Sequence, residues 1–227
     1  MNSPPDSQAA ADLALIDRLT AIPYTGAVTD ILDELGYPNQ TLPHSIQALF
    51  PEQIVAGRAL TILGVPSKEL DAEIVYPPIL NMLGGIAPGD VLVYQANDDV
   101  SAHLGELSSE TAKLRGARGA VIDGGARDTE YMLRLGFPVF ARYRTPQDVR
   151  GRWRLLEWNV PIVIGGIAVH PGDLVLGDRD GVVIIPQKIA GEVIAKAEEV
   201  VRTENQVRAA ILDGVLPLEA YYRFGRF

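Results

Sequence analysis

Cysteine is absent from the 227 residues. Its absence excludes disulfides, thiolate nucleophiles and any cysteine-held zinc or iron–sulfur centre. Histidine is scarce: His44, His103 and His170 form no H-x-x-x-H pair, so a histidine-rich metal centre is excluded as well. Lysine is scarce too. Lys113 and Lys196 fall in charged helical segments, Lys68 in a polar loop and Lys188 beside a helix start. A Schiff-base lysine needs a desolvated pocket, and none of the four meets that need. Long apolar runs are missing: the longest, residues 160–169, is cut by Pro161, Gly165 and Gly166 and falls short of the roughly 20 residues of a spanning helix. Residues 1–8 lack the basic-then-apolar order of a secretory leader. A soluble, cytoplasmic protein with a frayed start over about residues 1–8 is expected. Basic charge is also short. With 20 Lys+Arg against 29 Asp+Glu the net charge is -9, which repels phosphate backbones and speaks against nucleic-acid binding. No G-x-S-x-G elbow, P-loop or G-x-G-x-x-G is present.

What is present is an ordinary globular composition, 47% hydrophobic and 22% charged, in a length that suits one domain over residues 1–227. Helical and strand patterns alternate. Helices are predicted over residues 9–21, 25–35, 106–115 and 129–135, with a long terminal helix at about 188–212. A further helix over 71–83 is interrupted by Pro77-Pro78. Strands are predicted over residues 57–65, 91–95, 119–122 and 139–141, and strands dominate 160–186. This order predicts a layered α/β domain. The run Gly84-Gly85-Ile86-Ala87-Pro88-Gly89-Asp90 recurs as Gly165-Gly166-Ile167-Ala168 followed by Pro171-Gly172-Asp173. A Pro-Gly turn starts a strand well, so Asp90 and Asp173 are given no chemistry.

Three elements carry candidate chemistry. In Asp123-Gly124-Gly125-Ala126-Arg127-Asp128, between a strand and a helix, Arg127 can offer a planar fork to a carboxylate and Asp128 a hard oxygen to a divalent cation. Asp128 can equally be only a helix N-cap, with Arg127 paired to Asp123; spacing alone leaves the two readings level. In Gly105-Glu106-Leu107-Ser108, at a helix start, the free amides of Leu107 and Ser108 suit an anion, and Glu106 sits beside them or simply favours the helix dipole. On the last helix Glu204 interrupts the apolar stripe of Val193, Ala197, Val200, Val207 and Ile211. The arginines from Arg142 to Arg154 read as solvated or interface residues and are left outside the site.

These residues carry a resemblance. Gly105-Glu106-Leu107, Lys113-Leu114-Arg115-Gly116, the run from Gly119 to Gly124, Arg127-Asp128, the run from Leu135 to Ala141, Pro171-Gly172-Asp173 and Asp178-Arg179-Asp180-Gly181-Val182-Val183 together resemble the RraA-like family. That family includes the regulator of ribonuclease E activity and the 4-hydroxy-4-methyl-2-oxoglutarate/4-carboxy-4-hydroxy-2-oxoadipate aldolases. Some members were formerly labelled dimethylmenaquinone methyltransferases, a label this chain gives no support because it has no nucleoside-cofactor loop. The resemblance implies an αββα sandwich of the swivelling β/β/α type, homo-oligomeric as a trimer or hexamer with sites between subunits. It implies Mg2+ or Mn2+ at Asp128 and a catalytic, substrate-binding Arg127. It further implies Glu106 at metal-side water, substrate carboxylate on Gly105, Leu107 and Ser108, and Glu204 as an acid from an adjacent subunit. Glu106 stands where many relatives have Asp.

The implied activity is metal-dependent (class II) pyruvate aldolase chemistry of the kind used in aromatic catabolism: a 4-hydroxy-2-oxo acid is cleaved to pyruvate and a keto acid, with oxaloacetate decarboxylation as a side activity through the same enolate. The alternative implied by the same family is a non-catalytic, protein-binding regulator resembling the ribonuclease E inhibitor, which needs no metal carboxylate.

Overall fold

A computed structural model describes residues 5–226. In chain order the first elements are α1 (Pro5–Thr20), α2 (Thr25–Glu34), β1 (Gln47–Ala48), β2 (Val55–Pro66), α3 (Ala72–Gly84), β3 (Asp90–Gln95), β4 (Ala102–Leu104), α4 (Glu106–Leu114) and β5 (Gly119–Ala126). There follow α5 (Thr129–Leu135), β6 (Val139–Arg144), β7 (Trp153–Trp158), β8 (Ile162–Ile164), β9 (Ile167–Val169), β10 (Leu174–Asp178), β11 (Gly181–Ile185), α6 (Ala190–Leu212) and α7 (Pro217–Phe224), with a single 3-10 turn, Gln187–Ile189, before α6.

Nine strands form one sheet in the order β1-β6-β5-β3-β2-β10-β11, with β4 added beside β5 and β7 beside β2. Strands β2, β3, β5 and β6 run parallel, whereas β10 and β11 are antiparallel to their neighbours. The sheet nearly closes on itself. Gln40, Thr41 and Leu42 bond to β11, and β1, a few residues later, pairs with β6 at the opposite edge.

Strict alternation along each strand divides the core into layers. Val91, Val93, Val121, Phe140, Val175, Val182 and Ile184 point into the space between the two halves of the sheet. Leu92, Tyr94, Ala120, Ile122 and Val139 point outward beneath Val75, Met82, Ala112 and Met132 of α3, α4 and α5. Leu174, Leu176, Val183 and Ile185 point outward on the other half, beneath α1, α2 and α6. The result is helix layer, sheet, sheet, helix layer, the α/β sandwich expected. Strand β2 belongs to both halves, because Ala56 lies in one outer layer while Leu60 and Ile62 lie in the other.

The structure places several elements differently from the sequence expectation. The start is helical from Pro5, since proline is tolerated in the first turn; residues 1–4 of the stretch expected to fray lie outside the described residues. Helix α3 continues through Pro77 and Pro78. The carbonyls these prolines leave unbonded, on Glu73 and Ile74, belong to exposed residues that water can serve, and the helix is held by the Asp71 side-chain cap and by buried Val75, Met82 and Leu83. Strand β7 emerges from the arginine-rich stretch because Trp153 and Leu155 alternate inward with Arg154 and Leu156 outward. The duplicated turns are equivalent. Gly89 and Gly172 share φ values of 90° and 91°, and Asp90 and Asp173 each accept the amide three residues back, from Ala87 and His170. One oxygen of each carboxylate serves the turn and the other bonds beyond it, Asp90 to Arg58 and Asp173 to the Gln187 amide.

Phe140 is fully buried between the two half-sheets and reaches Gly177 of β10 from β6. Phe140→Ala removes the largest side chain bridging this space. It is expected to cost about 3–5 kcal/mol of unfolding free energy, read from urea denaturation at unchanged m-value.

Candidate active site

The parallel strands β3, β5 and β6 end on the same side of the sheet, and the candidate residues gather there. Strand β5 runs further than its sequence suggests, through Asp123–Ala126, because β4 and β6 both pair with its last residues. Arg127 and Asp128 alone form the connection to α5. Asp128 takes left-handed backbone angles, φ 54° and ψ 31°, at the N-cap position of α5, yet its side chain makes no cap bond there. It turns to α4, where Oδ2 accepts the Glu106 amide at 3.1 Å. Gly105 makes this approach possible, since a Cβ there would lie 2.7 Å from Asp128 Oδ2 and 3.1 Å from Arg127 Nε. Of the two sequence readings of Asp128, a mere cap for its own helix does not describe this geometry.

Arg127 is fixed between carboxylates. Its Nε lies 3.6 Å from Asp128 Oδ2 and its Nη1 lies 3.3 Å from Asp148 Oδ1. Asp148 in turn accepts the Tyr76 hydroxyl from α3 at 2.7 Å. Burial works to raise the Asp148 carboxyl, but the Tyr76 hydroxyl, nearby backbone amides and Arg127 outweigh it and hold the group below the usual carboxylate range. Asp123 pairs with Arg142 rather than Arg127. Asp148 and Tyr76 give no signal in the sequence, as they approach Arg127 only through the fold.

Arg127 and Asp128 remain open to solvent, with side chains 37% and 42% exposed. They line a cavity of about 320 Å³ with Ala126, Thr129, Arg144, Thr145 and Pro146. The α4 N-terminus lies beside it. Gly105 is the N-cap, Ser109 donates the first intrahelical bond back to Gly105, and the amides of Leu107 and Ser108 have no acceptor among the described residues. The Glu106 side chain lines a different cavity, with Glu110, Tyr131, Met132, Arg134 and Leu135. Its backbone, more than its carboxylate, meets Asp128.

Glu204 is not brought to this site within the chain. It sits on α6, in the opposite helix layer, and accepts the Tyr24 hydroxyl. Burial, with Glu204 adding to it, pushes the Tyr24 phenol up to about 12.

Among the described residues no three His, Asp or Glu side chains converge on a metal position. The donor set here is a single half-exposed carboxylate. That suits Mg2+ or Mn2+, hard cations that take one or two protein carboxylates and keep water or substrate oxygens for the rest; it does not suit zinc.

His103 shapes the site from behind. It is buried, its Nδ1 accepts the Gly125 amide at 3.2 Å, and its ring meets Trp153 edge to face. Its Nε2 lies 3.2 Å from Asp98 Oδ2, at an angle too oblique for a full hydrogen bond. A Cβ at Gly124 would lie 2.6 Å from Nδ1, so the glycine pair lets the imidazole support the end of β5.

A family model described as RraA-like, Aldolase/RraA, matches residues 25–184. A Halalkalibacterium halodurans protein named "Putative 4-hydroxy-4-methyl-2-oxoglutarate aldolase" is 32% identical over 212 residues, which cover 93% of this chain and 95% of that protein. An uncharacterized protein from Pseudomonas syringae pv. tomato superposes with a TM-score of 0.82 at 30% identity, over 93% of this chain and 94% of the other. Streptomyces coelicolor RraAS2, described as an unusual member of the RNase ES inhibitor RraA protein family, superposes with a TM-score of 0.78 at 29% identity, over 86% of this chain and 97% of the other. The mixed α/β fold is that of RraA-family structures.

Burial lowers the His103 pKa to about 4, against a smaller opposing pull from Asp98. The unfolded imidazole, near 6.5, takes up a proton first as pH falls, so folding loses stability from about pH 6.5 downward until the folded group titrates. Between pH 7 and pH 5 this amounts to about 2 kcal/mol. Urea denaturation at the two pH values, compared between the wild type and His103→Leu, should show that part of the pH dependence vanish in the variant.

Proposed function

The chain belongs to the RraA-like family, and on that premise we propose that it is a divalent-metal-dependent pyruvate aldolase, cleaving 4-hydroxy-2-oxo acids such as 4-hydroxy-4-methyl-2-oxoglutarate or 4-carboxy-4-hydroxy-2-oxoadipate and decarboxylating oxaloacetate as a side activity. The observation that carries this reading is Asp128 itself. A non-glycine residue held at φ 54° turns its carboxylate away from its own helix, toward a helix N-terminus and beside a guanidinium, in an open cavity. A strained residue with a solvent-facing acid is costly to keep for packing alone.

The roles follow from the positions. The unpaired amides of Leu107 and Ser108, at the positive end of α4 next to Gly105, receive the carboxylate of the 2-oxo acid. Asp128 is the protein group that would hold Mg2+ or Mn2+, and the ion would supply Lewis acidity toward the keto oxygen. Arg127, oriented by Asp148 and Tyr76, places positive charge where the pyruvate enolate forms as the C–C bond breaks. Because its partners fix it in advance, little reorganisation is needed at that moment. The 4-hydroxyl proton passes to a water, or to Glu204 of a second copy, since Glu204 lies in the opposite helix layer of its own chain; Glu106, whose side chain lines a neighbouring cavity, is assigned the water by the family resemblance rather than by this geometry. The reading therefore includes a homo-oligomer, trimer or hexamer, with sites between subunits. In oxaloacetate the departing group is carbon dioxide and the enolate is the same.

The likeness to RraAS2 favours a second reading, a protein-binding regulator that acts without catalysis. One assay separates the two. Pyruvate release from oxaloacetate, followed with lactate dehydrogenase and NADH, is expected with Mg2+ or Mn2+, and is expected to vanish with EDTA and in Asp128→Ala. Activity that survives both treatments, or is absent with both metals, overturns the aldolase reading. Arg127→Ala is expected to add about 2–4 kcal/mol to the barrier, a loss of roughly 30- to 1,000-fold in kcat/KM, from removing one preorganised donor at developing charge.

A further inference from the structure

Arg144 lies on the same cavity as Arg127 and Asp128. The pairing of β5 with β6 puts it there: Ala126 is in register with Arg144, and the Thr145 amide donates to the Ala126 carbonyl at 3.1 Å, locking the two strand ends side by side. Arg127 and Arg144 therefore leave adjacent strands one residue out of step and share one concave space.

The two guanidinium groups differ in their company. Arg127 is held by Asp128 and Asp148. Arg144 has no carboxylate partner among the described residues. One of its Nη groups donates to the Leu49 carbonyl, and its guanidinium lies 5.6 Å from the centre of the Phe50 ring. That contact orients the plane of the side chain and uses one of five N–H donors. Four N–H donors are left over, and the side chain lines a cavity whose other walls include Thr129 and Thr145. At about 320 Å³ the space is at the small end for ligand pockets and suits an acid of a few carbons.

We propose that Arg144 is a specificity-determining residue that receives the second, distal carboxylate of a dicarboxylic 2-oxo acid, while the 2-oxo acid end faces Asp128 and the α4 amides. The inference rests on the proposed 2-oxo acid chemistry and deepens it, by selecting substrates with two carboxylates over those with one. Arg127 is partly neutralised by its two partners and cannot serve both ends. Arg144 supplies the missing positive charge with bidentate geometry.

The test uses two five-carbon probes that differ only at the far end: 2-oxoglutarate, which ends in a carboxylate, and 2-oxopentanoate, which ends in a methyl group. Each is titrated calorimetrically into the full chain with Mg2+ at fixed low salt. The wild type is expected to bind 2-oxoglutarate about 10- to 100-fold more tightly, as one charge-assisted contact predicts. Arg144→Gln should bring the ratio close to one while leaving 2-oxopentanoate affinity unchanged, and Arg144→Lys should restore part of the preference. A wild-type ratio near one, no binding of either acid at millimolar concentration, or a preserved ratio in Arg144→Gln overturns the proposal. Should Arg144→Gln fail to fold, judged by circular dichroism, the wild-type ratio and Arg144→Lys still decide it. The outcome is independent of the oxaloacetate assay. A strong ratio without turnover keeps the subsite and removes the aldolase reading, and turnover with a flat ratio does the reverse.

Discussion

The bond from the Glu106 amide to Asp128 Oδ2 is the constraint on which the site depends. It ties the end of a central strand to the start of the next helix layer. Without it the β5–α5 connection would have no reason to hold left-handed geometry, and the α4 N-terminus would open toward solvent alone. With it, one carboxylate is shared between a helix dipole and a guanidinium. The arrangement also explains why small residues surround it. Gly105 clears the path for the carboxylate, and Gly124 clears the path for His103 beneath the strand. Asp128, Arg127 and the end of β5 are thus each tied to a neighbouring element, to α4, to Asp148 and to His103.

Rigidity is reinforced from outside the site. Tyr76 reaches across from α3 to Asp148, and Asp148 holds one arm of Arg127. The proline pair in α3 follows Tyr76 directly, which restricts the backbone of the segment presenting the hydroxyl. On the other side His103 meets Trp153 edge to face beneath the glycine pair, with Trp153 Nε1 donating to the Ala96 carbonyl. Preorganised donors at developing charge need such support, because a side chain that must reorganise during the reaction returns much of its electrostatic benefit. The neutral, low-pKa imidazole suits the role: a charged one would be expensive to bury there and would alter the field at Arg127.

Much of this could be read from the residues in order. The α/β layering and the helix starts at Thr25, Glu106 and Thr129 rest on local patterns, and local patterns are what a sequence displays; that Arg127 and Asp128 share a site with the α4 amides was implied only by the family resemblance. The rest depends on contacts distant in the chain. Asp148 and Tyr76 are separated by 72 positions and meet only because β7, between β2 and the loop after β6, carries one toward the other. Arg144 looked like part of a solvated arginine cluster, because that stretch alone does not show that its register places it opposite Ala126. Arg142, two positions earlier, does spend itself on Asp99 and Asp123. The two arginines, alike in composition, differ in the partners that lie near them: two carboxylates for Arg142, the Leu49 carbonyl and the Phe50 ring for Arg144. Glu204 is the converse case: its position on an apolar stripe was visible, but its in-chain neighbour, Tyr24, was not.

The charge balance brings these strands together. A chain of net charge -9 that took the proposed anionic acid would work against its own long-range field. At physiological salt that field is screened beyond about 8 Å, so the local arrangement decides. Locally, Asp128 and Asp148 offset part of the Arg127 charge. A divalent ion at Asp128 would restore attraction at one end of the cavity, and the helix amides add to it there. Arg144, unmatched by any described carboxylate, does the same at the other end. Two separated centres of positive potential, on a surface otherwise negative, favour a ligand whose own charge is divided between its ends. A monocarboxylate would satisfy one centre and leave the other bare, so the proposed subsite would discriminate by the distance between charges rather than by total charge. That discrimination belongs to the register of two neighbouring strands, and a change in the β5–β6 pairing would lose it even with every arginine retained.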